Sequence, residues 1–146
     1  ISMKERELQS LLLKLADANV RQLVFTYEGA GDSGNIEDIY MLKTQIAHED
    51  CTDEIYIEDF LPNDHESIHN VFDHETTKAV EDMCYRLVLE DVEDWYNNDG
   101  GYGWVIMDIP TGKTHVKNTI RYMETETYDH TMSLSEKLDK LYNHHF

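Results

Sequence analysis

Basic residues are scarce in this chain: 12 Lys and Arg stand against 30 Asp and Glu, a net charge of −18 with the histidines neutral. That balance argues against direct nucleic-acid binding and against docking on an anionic membrane leaflet, because both surfaces would repel it. Cysteine is nearly absent as well, and Cys51 and Cys84 form neither a metal-ligand spacing nor a disulfide framework. No apolar run approaches the roughly 20 residues that a membrane-spanning helix needs, and no signal-peptide pattern opens the chain. Internal repeats and low-complexity segments are missing too. These absences lead us to expect a protein of a reducing, cytoplasmic compartment, with no cofactor and no membrane contact. Ile1 and Ser2 precede Met3 and read as an added remnant, so the native chain is taken to start at Met3.

The 146 residues are enough for one α+β domain, 3–146, with a real core. Strong acidity can signal disorder, but 10% aromatic residues and long periodic apolar segments oppose that reading. The charge is unevenly spread. From Glu28 to Glu75 there are 14 acidic residues and one basic, Lys43, a net of −13; the rest of the chain holds 16 acidic and 11 basic, a net of −5. A field of that sign attracts basic surfaces and speeds encounters with them.

Periodicity sets out the elements. Leu8, Leu11, Leu12 and Leu15 predict an amphipathic helix over 4–18. Val20 to Tyr27 reads as a strand, Glu28 to Gly34 as a tight Gly-rich turn, and Ile36 to Leu42 as the returning strand. Glu54 to Phe60 alternates as a short third strand, and Leu61 to His74 reads as irregular. From Glu75 a helix carrying Ala79, Val80, Met83, Cys84, Leu87, Val88 and Val92 is expected to run as far as Trp95. Tyr102 to Ile109 and His115 to Glu126 predict a hairpin turning through Pro110 and Gly112, and Ser133 with Glu136 predicts a capping box opening a last helix that ends at Tyr142. The expected fold is an antiparallel sheet of about four to five strands, in two hairpins, with two or three packed helices.

The most particular stretch is Asp94 to Gly103, where Gly100, Gly101 and Gly103 follow Asn97, Asn98 and Asp99. Glycines and Asn/Asp at such spacing stop a helix and admit left-handed backbone. Trp95 and Trp104 flank the loop as a lid on the core. A second Gly-rich turn holds Asp32 and Ser33. If the sheet brings the two turns together, Asp32 and Asp99 meet at one rim, where paired carboxylates could do acid/base work or hold a hard cation. No EF-hand register is present, and Gly29-Ala30-Gly31-Asp32-Ser33-Gly34 is not the Gly-x-Ser-x-Gly of a nucleophile elbow. His65-Glu66-Ser67-Ile68-His69 fits the zinc-hydrolase spacing, in which two histidines one helical turn apart converge on a metal beside a general-base glutamate. Its third ligand is not singled out by the sequence.

Three blocks carry a resemblance: Tyr27 to Glu37, with Gly29, Gly31, Asp32, Ser33 and Gly34; Ala79 to Tyr85 followed by Trp95 to Gly103; and Arg121 to Thr127 before His130. In that order they resemble a small bacterial and phage domain family of unknown function. The resemblance implies that the two Gly-rich turns are the hallmark, that the His65–His69 pair lies outside it, and that the chain belongs to a phage or mobile element.

The function expected is therefore a non-catalytic acidic accessory protein that binds and inhibits a basic host or defence protein, as a mimic of nucleic acid. Its partner-binding residues are expected among Asp32, Ser33, Glu37, Asp38, Asp94, Trp95, Asn98, Asp99 and Tyr102. The alternatives are a small-ligand or metal-dependent module on the Asp32 and Asp99 turns, and a zinc hydrolase at His65, Glu66 and His69.

Overall fold

The computed structural model describes residues 5–31, 33–47, 61–92, 95–96, 99–122 and 126–142. The first helix, α1 (Glu5–Asp17), buries Leu8, Leu11 and Leu15 along one stripe. It stops at Asn19, whose left-handed φ of 59° lets Val20 N–H reach the Leu15 carbonyl and Asn19 N–H the Ala16 carbonyl. Those two bonds make a Schellman ending in which Asn takes the usual place of glycine.

The chain then enters the sheet through β1 (Gln22–Ala30) and β2 (Ser33–Leu42). The segment expected to be irregular instead holds a two-residue strand, β3 (Glu66–Ser67), and a single helical turn, α2 (Ile68–Val71), capped by the Ser67 hydroxyl on the His69 N–H. Next comes α3 (His74–Leu87), capped by the Asp73 carboxylate on the Thr76 N–H at 2.8 Å. Hydrogen bonds from Thr76 hold the Asp73 carboxyl below its ordinary pKa. The sheet is completed by β4 (Gly101–Asp108), β5 (Lys113–Ile120) and β6 (Glu126–Ser133), and α4 (Leu134–Tyr142) ends the described chain.

All neighbours are antiparallel, in the order β3-β2-β1-β4-β5-β6. The architecture is the expected α+β, but the described residues form six strands and four α-helices where four to five strands and two or three helices are predicted. The stretch expected to be one strand from His115 to Glu126 ends at Ile120, and the chain turns back as β6. The expected helix to Trp95 ends at Leu87, followed by a single 3-10 turn at Leu89–Asp91. Apolar periodicity runs on past that point because Val88, Leu89 and Val92 stay buried after the helix has ended. The strand expected at Glu54 to Phe60 lies outside the described residues.

The main core forms where α1, α3 and α4 meet one face of the sheet: Leu8, Leu15, Val80 and Met83 pack with Leu23, Phe25, Ile39, Val105 and Met107. Cys84 belongs to it, and burial pushes its thiol pKa up, leaving it an inert apolar group. A smaller cluster of Val24, Leu42, Trp104 and Ile106, with Ile46 and Leu61, sits on the opposite face. Trp95 and Trp104 therefore belong to different cores and do not form one lid. Among the described residues no helix is long and apolar enough to cross a membrane.

Candidate functional site

The two Gly-rich turns do meet. Gly29 of β1 stands between Gly34 of β2 and Gly101 of β4, so both turns end at one end of the sheet. What fills the space between them is Trp95, which is completely buried. A side chain at Gly34 would overlap the Trp95 ring, and one at Gly100, whose φ is 76°, would run into the Gly29 carbonyl. The indole N–H donates to the Leu89 carbonyl at 3.2 Å, and Tyr27 and Tyr96 meet the ring edge-on at 5.0 and 5.3 Å. Gly34 is accounted for by close packing on an aromatic ring, and Gly100 by its positive φ and the approach of the Gly29 backbone.

Arg121 stitches the same end of the sheet from outside. Its backbone N–H bonds the Gly100 carbonyl at 2.8 Å, its guanidinium pairs with Glu28 and reaches the Gly29 carbonyl at 3.4 Å, and it lies 5.0 Å over the ring of Tyr102. Tyr102 is thus a platform for Arg121. The expected partner-binding residues here fall into three sets. Ser33 and Asp99 are exposed at the turns, with the Ser33 hydroxyl on the Ala30 carbonyl at 3.3 Å. Trp95 is in the core. Asp32, Asp94 and Asn98 lie outside the described residues.

The other two expected residues sit further along β2. Between Tyr27↔Ile36 and Phe25↔Ile39 the register slips, so that Glu37 and Asp38 together face Thr26 alone. This bulge bends β2 just before the stretch that β3 covers, with Glu37 exposed and Asp38 half-buried. Just beyond it, Tyr40 pairs with Ser67 and Met41 with Glu66. The Ser67 hydroxyl donates to Asp38 at 2.6 Å, and His69 Nε2 stands 3.8 Å from the same carboxylate. Glu66 and Asp64 share the wall of a small hollow with Lys43 and Met41. Four acidic residues, Glu37, Asp38, Asp64 and Glu66, thus belong to this edge, Asp38 on the Ser67 side and Asp64 and Glu66 beside Met41 and Lys43.

The zinc expectation at His65, Glu66 and His69 is not met. The spacing requires one continuous helix, but Glu66 and Ser67 are extended and the helix begins only at Ile68. His65 turns back to the Pro62 carbonyl at 2.6 Å and packs edge-on against Tyr40, while His69 faces Asp38. Among the described residues no group of three His, Cys, Asp or Glu side chains is placed to hold a metal.

Sequence reasoning missed a second polar region. On the face opposite the helices, an open cleft of about 760 Å³ is bordered by Gln22, Ile106, Asp108, Lys113, His115 and Glu136, among others. Its buried polar groups already have protein partners. Gln22 makes both amide bonds to Ile46, at 2.9 and 3.2 Å. Burial would raise the Asp108 carboxyl, but Thr111 and Arg21 bond it, the latter at 2.8 Å, and hold it below the usual carboxylate range. The His115 ring lies over Trp104 and has Thr131 Oγ1 and an Asp129 oxygen each 3.0 Å from its two nitrogens. A ring engaged on both nitrogens is not a free general base. The only sequence trace of this arrangement is the period-two alternation His115, Lys117, Thr119 beside Thr127, Asp129, Thr131.

No curated protein and no solved structure is significantly similar to the chain. A family match does exist, and it spans the helix, the whole sheet up to β6, both Gly-rich turns and the acidic edge: over residues 3–132 the chain belongs to DUF6878, a family of unknown function.

Proposed function

We propose that the protein is a non-catalytic acidic binding protein that docks its β2–β3 edge on a basic protein surface, its carboxylates taking the place of nucleic-acid phosphates. The observation that carries this reading is that Glu37, Asp38, Asp64 and Glu66, from two stretches of the chain, all belong to the β2–β3 edge. Strands β2 and β3 hold Glu37, Asp38 and Glu66 and a turn holds Asp64, so little backbone order is lost when a cationic surface arrives. In the phage or mobile-element setting that the resemblance implies, the partner is a basic host or defence protein. Docking inhibits it by occupying the surface it uses for nucleic acid. Electrostatic attraction at such an edge raises the association rate and is screened by salt.

The test is capture of basic proteins on the immobilised chain at low and high salt, repeated with Glu37→Gln, Asp64→Asn and Glu66→Gln combined. The expected result is a basic partner held at low salt, released at high salt, and lost with the neutralised edge. Retention that ignores both salt and the triple substitution excludes this edge as the binding surface.

A further inference from the structure

The sheet has a second edge, and it is built differently. β6 pairs with β5 without interruption from Lys113↔Ser133 to Ile120↔Glu126, and among the described residues it is the terminal strand of the sheet. It has no bulge, no proline and no lysine, the devices that usually blunt an edge against further pairing. Its sequence is rich in strand formers, with Thr127, Tyr128 and Thr131. Of its two acidic residues, Glu126 at its start and Asp129, the latter is matched from within the sheet by His115 at 3.0 Å and Lys117 at 3.8 Å.

Charge selects the occupant. Residues 101–142 carry six acidic and five basic side chains, a net of −1, so the remaining −17 of the total −18 lies in the rest of the chain. Two copies that approach through β6 bring their least charged ends together and keep their acidic edges at opposite extremes. We infer that β6 is a self-association edge: two chains pair antiparallel through β6 about a twofold axis, and their sheets join into one continuous sheet. A twofold pairing is isologous and closes on itself, so it ends at the dimer. Centred on His130, this register sets Asp129 against Thr131 of the second copy and keeps Asp129 from facing its own equivalent. The dimer presents two acidic β2–β3 edges facing outward. This assignment rests on strand geometry and stands whatever that edge binds.

Sedimentation equilibrium of the full chain, at micromolar concentrations and two salt levels, tests it. The expected mass is that of a dimer, strengthened by added salt because screening relieves the repulsion between two acidic chains. That is the opposite sign from docking on a basic partner. Thr131→Asp and Thr131→Lys both remove the hydroxyl that meets His115, so the difference between them reads the charge across the axis. Thr131→Asp, which sets two carboxylates opposite each other, is expected to weaken the dimer roughly tenfold or more, and Thr131→Lys to hold or tighten it. Glu37→Gln is expected to leave the mass unchanged. A monomeric wild-type chain, or a dimer indifferent to the sign at residue 131, overturns the inference; so does a dimer broken by Glu37→Gln.

Discussion

The two edges of this sheet face the same physical problem and answer it differently. A strand at the rim exposes backbone groups that can template another chain. At β2 the bulge at Glu37 and Asp38, the short cover of β3 and the local negative charge all oppose pairing with a further strand of the same molecule. At β6 the ladder has no bulge and no strand covers it among the described residues, and of its two acidic residues Asp129 is compensated inside the sheet. On the two proposals above, an edge blunted by acid is closed to copies of itself and open to cations, while a regular edge is open to its own kind.

The largest effects should come from breaking what anchors the acidic edge to the core. Trp95 is the plug beneath β1, β2 and β4, and Trp95→Ala is expected to cost about 3–5 kcal/mol of folding stability, read from urea denaturation. Gly34→Ala places a methyl where the Trp95 ring already lies, and overpacking of that kind should cost about 2–3 kcal/mol. Thr127→Ala, at an exposed position on the opposite edge, should stay within about 0.5 kcal/mol of wild type. If Gly34→Ala proves as mild as Thr127→Ala, the glycines serve something other than the ring. The same contrast extends to binding. Neutralising Glu37, Asp64 and Glu66 should weaken a Lys/Arg-rich partner roughly tenfold, chiefly through the association rate, while leaving denaturation midpoints nearly unchanged.

How far the sequence could announce this depended on the range of each signal. The stripe of Leu8, Leu11 and Leu15 and the alternation through β1, β2 and β4 are local patterns, and each produced its element. The division between β5 and β6 was hidden because the chain reverses between Ile120 and Glu126 with neither glycine nor proline to mark it. The end of α3 at Leu87 was hidden by apolar residues that continue in helical spacing through a non-helical turn. The Gly-rich turns were visible as turns, but the reason for their glycines was not. It lies in the Trp95 ring beneath Gly34 and Gly29 and in neighbouring backbone pressed against Gly100 and Gly101, and only the fold brings those strands together. The His65–His69 spacing misled for the converse reason: Ser67 pairs with Tyr40, and that long-range contact holds the segment extended where the motif needs a helix.

Acid provides the finest comparison between the two ends. Asp73 caps α3 near the acidic edge, and Asp108 binds Arg21 and Thr111 beside the cleft; both carboxyls are held below their ordinary pKa in the folded chain. A lowered folded-state pKa means that the folded protein binds fewer protons than the unfolded chain. The contribution is therefore complete above the ordinary carboxylate value, near about 4, and is lost as pH falls through it toward the lower folded value. Asp108→Asn should cost about 1 kcal/mol at neutral pH and almost nothing once Asp108 is protonated in both states, which flattens the acid limb of the stability profile. Asp73→Asn should flatten it less, because asparagine still caps a helix N-terminus and Asp73 is fully exposed to solvent screening. Stability profiles between pH 2 and 7 for the two variants separate these contributions. An Asp108→Asn profile parallel to wild type would show that the Arg21 pair adds nothing beyond its hydrogen bonds.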